Sequence, residues 1–184
     1  MDIRNSMKKI VICLLLVITL LVSCKPDAEK YFAVAALNCN MLFGFAGTGL
    51  QRELASPSEK LVDEKTYATA PMKRAELIEM KIKTLEENYE NIKALPRDED
   101  AQQMIDASLA LHAFALPVYK KEYSELAALY DNNAPAEKIA AAEKNISDTY
   151  SAKFEQLYNT VVNSGTAYAQ KHNIPVQTVN TSPQ

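Results

Sequence analysis

Two histidines, three cysteines, nine tyrosines and a cluster of glycines are the residues of this 184-residue chain whose types can do chemistry. A di-metal site in a helical protein needs Glu-x-x-His, because residues three apart on a helix point at the same ion. Neither His112 nor His172 meets that need, since Leu109 and Ala169 stand three residues before them. Covalently attached haem needs Cys-x-x-Cys-His, and the chain has no such run. The stretch from Gly44 to Gly49 lacks the Gly-Lys-Ser or Gly-Lys-Thr that closes a phosphate-binding loop. Gly47-Thr48-Gly49 likewise lacks the serine of a nucleophile elbow. No metal, no cofactor and no catalytic residue is expected.

Cys39 lies in AALNCNMLFGF and reads as a small buried apolar side chain. The tyrosines are the remaining candidates. Tyr119, Tyr123 and Tyr130 follow one another along one segment, and Tyr150, Tyr158 and Tyr168 along the next. A tyrosine buries an apolar ring and offers a hydroxyl to a partner, which suits a core edge, a pocket or an interface. The expected ligand or partner surface consists of Phe114, Tyr119, Tyr123, Tyr150 and Phe154.

These residues need helices to position them. In the last long segment, Ile139, Ala142, Ile146, Tyr150, Phe154, Leu157, Val161, Gly165, Tyr168 and His172 recur at intervals of three and four, so one helix is expected from Pro135 to Lys171. Asn132 and Asn133 offer caps at its start, and Asn173 and Pro175 stop it. A helix from Asp100 to Asp131 carries Met104, Leu111, Phe114, Val118 and Leu126. Pro117 lies inside it and removes a hydrogen bond, which predicts a kink or break near Phe114. Another runs from Pro71 to Leu95, ending before Pro96, with Asp98 capping its successor.

The first helix is expected from Asp27 to Phe43, persisting weakly to Glu53, with a connection through Pro57 to Thr69. Three glycines in FGFAGTGL either admit a close neighbour or end the helix in a loop. The fold class is thus all-α, an elongated up-down-up-down four-helix bundle whose third helix is kinked near Pro117. The bundle domain spans residues 27–173, and residues 174–184 form a flexible tail.

The beginning of the chain has its own pattern. Lys8 and Lys9 precede an apolar run from Ile10 to Val22, which is shorter than the roughly 20 residues of a membrane-crossing helix. Leu21, Val22, Ser23 and Cys24 then resemble the lipobox of bacterial lipoproteins, a likeness confined to residues 7–24. The resemblance implies that residues 1–23 are a signal peptide to be removed, that Cys24 carries diacylglycerol and palmitate-like acyl chains, and that residues 24–26 are a short tether. Lys25 in place of an aspartate implies, by the same resemblance, the outer membrane if the cell has two membranes. The run Lys25, Pro26, Asp27, Ala28, Glu29 is similar to the acidic export signals of some surface-exposed lipoproteins. The periplasmic and surface faces both stay open.

Taking away residues 1–23 removes Arg4, Lys8 and Lys9 against Asp2, so the remainder is acidic. Without a basic face there is no expectation of a nucleic-acid partner. Cys39 is then the one cysteine free of lipid, which excludes a disulfide scaffold within the chain. The sequence points to a lipid-anchored cell-envelope protein without catalytic activity. It is expected to meet the membrane through the lipid on Cys24 and an envelope protein partner through its helices. Two alternatives stand beside it: a carrier with an aromatic-lined pocket near the kinked helix, and a metal protein or enzyme with a dispersed site.

Overall fold

The computed structural model describes residues 26–56 and 59–176; the signal segment and Cys24 lie outside the described residues. The chain is mostly helical, and its helices pack against one another. In order it forms α1 (Ala28–Ala35), a 3-10 turn (Leu37–Leu42), α2 (Thr48–Ala55), β1 (Glu59–Asp63), β2 (Ala68–Pro71) and α3 (Arg74–Lys93). Then come α4 (Gln102–Val118), a π-helical turn (Tyr119–Tyr123), α5 (Ser124–Asp131) and α6 (Ala136–Lys171).

The all-α expectation needs correcting at the connection before α3, which holds an antiparallel hairpin. Glu59 faces Pro71, Lys60 faces Ala70 and Leu61 faces Thr69, with an irregularity before the pair Asp63 and Ala68. Its turn is set by Asp63, whose carboxylate accepts from the N–H groups of Lys65 and Thr66. Nearly every hairpin side chain is exposed, so the strands carry no alternation of apolar and polar residues that sequence could reveal.

A second correction concerns the first helix, which is in three pieces. Asp27 caps α1 by accepting from Lys30 N–H at 2.8 Å, but α1 ends at Ala35 and tightens into the 3-10 turn. The chain then leaves helical geometry altogether: Gly44 has φ 86° and Ala46 φ 50°.

In the segment containing Pro117, the α-helix continues through the proline to Val118, and the ladder widens only after it. Ser124 N–H reaches back five residues to the carbonyl of Tyr119, and its hydroxyl donates to the same oxygen at 3.1 Å. Asn133, expected to cap α6, instead takes φ 50° and ends α5, while Ala134 N–H bonds to Leu129 O. Asn173, at φ 55°, ends α6 in the same way.

Side-chain pairs fix the sense of neighbouring segments. From the N-terminal segment, Tyr31 donates its hydroxyl proton to Pro96 O, Asn38 donates to Asn88, and Glu53 pairs with Lys81, so this segment runs against α3. Lys120 pairs with Glu86, and Asp131 reaches Arg74, so α4 to α5 also runs against α3. Asp100 pairs with Lys171, and Tyr130 donates to Glu143, so α6 runs against the α4 to α5 segment. Gly165 lets α6 come close to α1, since a Cβ there would stand 2.9 Å from Ala36 Cβ.

The inward stripe of α6 runs through Ile146, Val161, Gly165 and Tyr168 as its spacing demands. One core cluster gathers Leu42, Phe45, Leu54, Ile78, Leu111, Tyr119, Tyr123 and Ile146. A second, smaller cluster joins Tyr31, Phe32, Ile92, Met104 and Tyr168.

The N-terminus of α3 has no cap from its own sequence. Asp131, at the end of α5, supplies one, its carboxylate accepting from Arg74 N–H at 2.9 Å and Ala75 N–H at 3.0 Å. Asp131→Ala is expected to lower unfolding free energy by about 1–2 kcal/mol in urea denaturation at neutral pH. A change below about 0.3 kcal/mol would contradict the cap.

Candidate functional site

Four of the five aromatic residues singled out in the sequence meet at one place, around a sixth that was not singled out. Phe45 lies 4.6 Å from Phe154, 5.7 Å from Tyr119, 5.8 Å from Tyr123 and 6.2 Å from Phe114, measured between ring centroids. Tyr150 joins through Phe114 at 6.1 Å. Several of these contacts are edge-on or tilted, the arrangements favoured by aromatic quadrupoles. Phe45 therefore occupies the centre that these four surround, with only 4% of its surface exposed.

The loop that presents Phe45 is built by glycine. A Cβ on Gly49 would stand 2.9 Å from Gly44 Cα, so the two backbones touch where any larger residue collides. Gly44 O accepts from both Gly47 N–H and Leu50 N–H, which closes the loop onto the start of α2. The positive φ at Gly44 suits a residue without a Cβ. From the other side, Ala46 N–H donates to the hydroxyl oxygen of Tyr123 at 2.8 Å.

Tyr123 reaches that amide from the π-helical turn. Tyr119 and Tyr123 are four residues apart, with ring centroids 4.9 Å from each other, and both are buried in the core. Burial pushes the Tyr123 hydroxyl up to about 12 and Tyr119 higher than usual, so both stay protonated at any ordinary pH. Tyr150 keeps its hydroxyl at the edge, donating to Glu122 at 3.4 Å. Phe45 could have been found from its setting, an aromatic residue between glycines too crowded for a helix.

A second group of polar residues is buried nearby. Cys39 and Ser108 share a hydrogen bond at 3.2 Å, and Cys39 Sγ also donates to Ala35 O at 3.6 Å. His112 uses Nδ1 on the Ser108 carbonyl at 2.9 Å, so that nitrogen is not available to take a proton from the thiol. Burial raises the Cys39 thiol to about 11, which leaves it protonated and a poor nucleophile. Among the described residues, no three His, Cys, Asp or Glu side chains are placed to hold one metal ion. Surface depressions beside Arg97, Asp98 and Asp100 and beside Glu86, Glu87 and Glu90 take no residue from the ring cluster.

Phe45→Ala is expected to cost about 3–5 kcal/mol of stability, as for other buried Phe truncations. Tyr123→Phe removes the acceptor for the buried Ala46 N–H and should cost about 1–3 kcal/mol. Equilibrium unfolding checks both, and a loss below about 1 kcal/mol for Phe45→Ala would show that the ring is not a core member. The chain matches no protein-family model, no curated protein and no solved structure.

Proposed function

We propose that this chain is a lipid-anchored envelope protein that binds a protein partner through a helical bundle and does no catalysis. The observation that carries this reading is an exposed apolar strip on the N-terminal segment. Leu37 is 47% exposed, Met41 43% and Phe43 66%, within seven residues of one another. Three large apolar side chains left exposed on one short stretch of chain are a feature of interaction surfaces. Of the five aromatic residues, by contrast, four are packed against Phe45 and the fifth, Tyr150, against Phe114, so they serve this reading as core.

The fold in this reading is an up-down-up-down bundle whose third rod is kinked just past Pro117. The antiparallel pairs support it, with α1, the 3-10 turn and α2 acting together as one broken arm. The anchor reading adds an orientation. The first helix, α1, begins four residues after Cys24 in sequence and lies at the end that holds Pro96 and the last turns of α6. The hairpin and the turn between α5 and α6 would then lie farther from the membrane. A helix of 36 residues is about 54 Å long, so the domain reaches well beyond the headgroups if it stands upright. No helix among the described residues is long and apolar enough to cross a membrane. The outer membrane is favoured in a two-membrane cell.

Two measurements test the reading together. Intact mass of the native protein should show acyl chains on Cys24, and Cys24→Ser should move the protein to the soluble fraction. A photo-crosslinking residue at position 43 should capture a recurrent partner in cells, while one at Asp148, exposed on α6, should not. An unacylated native chain would defeat the anchor. Equal capture from both positions, or none, would defeat the strip.

A further inference from the structure

His112 lies on α4, one turn beyond the Ser108 that hydrogen-bonds the 3-10 turn, and it has no exposed surface. Its Nδ1 is 2.9 Å from the Ser108 carbonyl. A carbonyl only accepts, so Nδ1 carries the proton and Nε2 keeps a lone pair. That Nε2 is buried and has no hydrogen-bond partner among the described residues. As a neutral acceptor it costs the core an unmade hydrogen bond; as a protonated donor it would bring an unpaired charge as well.

The elements packed against α4 offer that charge no relief. From the 3-10 turn comes the Cys39 thiol, held protonated and bonded to Ser108 Oγ. In α1, Tyr31 gives its hydroxyl to Pro96 O; in α3, Glu86 is paired with Lys120; in the π-helical turn, Tyr119 stays neutral. In α6, Tyr158 donates to Asn40. Burial and the Ser108 carbonyl are the influences acting on the imidazole, burial the larger, and it lies below the usual histidine range.

We propose that His112 is an acid-sensitive latch in the core, whose protonation loosens the hold of α4 on the 3-10 turn that carries Leu37 and Met41. In the closed state the ring resists a proton, while in an opened state it binds one near its ordinary value of about 6.5. The closed state is therefore fully favoured above that pH and loses ground as pH falls. The opening equilibrium rises roughly tenfold per pH unit until the closed form itself takes the proton. The exposed strip sits on the segment released, so its presentation would follow pH.

The test uses the full chain with two readouts, imidazole nitrogen NMR from pH 8 to pH 5 and amide hydrogen exchange of residues 37–42 corrected for intrinsic rates. The native chain should keep a neutral Nδ1–H ring at His112 through the pH range in which exchange begins to speed up. That acceleration should reach about five- to sixfold between pH 6.5 and 5.5 and should be absent in His112→Gln and His112→Leu. A His112 ring that titrates near pH 6.5 with unchanged exchange would overturn the latch, as would variants with the native acid response. If neither variant folds, the native titration alone decides, because it reads the ring and the segment in one sample.

Discussion

Phe45 can reach the centre of the bundle only because Gly44 and Gly49 touch, and much of the structure follows from that contact. A continuous first helix would carry residue 45 along its own axis and leave Phe114, Tyr119, Tyr123 and Phe154 without a common partner. Breaking the helix costs backbone hydrogen bonds. These are replaced one by one: Leu42 O takes Phe45 N–H, Tyr123 Oη takes Ala46 N–H, and Gly44 O takes two more. From the opposite side Tyr123, in the π-helical turn, brings a buried hydroxyl to a buried amide, and each offsets the other's loss of water.

Around this plug the helices are tied end to end by single side chains. Asp131 supplies the cap that α3 lacks, and Arg74 in turn donates to Leu54 O at the close of α2. At the other end, Asp98 closes the turn before α4 by accepting from Asp100 N–H and Ala101 N–H, and Lys171 joins α6 to Asp100. The exposed ion pairs among these are worth little individually, whereas the caps satisfy groups that burial would otherwise penalise. The result is a frame in which the N-terminal segment can show Leu37, Met41 and Phe43 outward while Cys39, Leu42 and Phe45 hold it from within. Exposed apolar residues and core anchors thus alternate along one short stretch of chain.

Much of the frame was legible in the sequence. The stripe of α6 is long, and tertiary packing did not override it; Ala136 and Lys171 bound it close to the expected ends. The first helix starts at Asp27 as expected, whereas Asp98 bonds the turn before α4, whose own N-cap is Ala101. The broken first arm was less legible, because FGFAGTGL offers two readings and the decision rests on Tyr123, 77 residues from Ala46. The hairpin left no periodic trace, since its strands bury almost nothing. The aromatic residues were recognised as a group, but their shared partner was not, because Phe45 comes from a loop rather than from a helical stripe. His112 looked ordinary in sequence; only its complete burial and bare Nε2 set it apart.

The central claim is that the glycine loop is locked into the core rather than resting on it. Native-state hydrogen exchange at the Ala46 amide tests this most directly, because that N–H is held by a tyrosine hydroxyl and lies outside any helix. The amide should exchange as slowly as the core of α4, opening only when the whole bundle unfolds. Exchange at the rate of an exposed loop, with α4 still protected, would contradict the account.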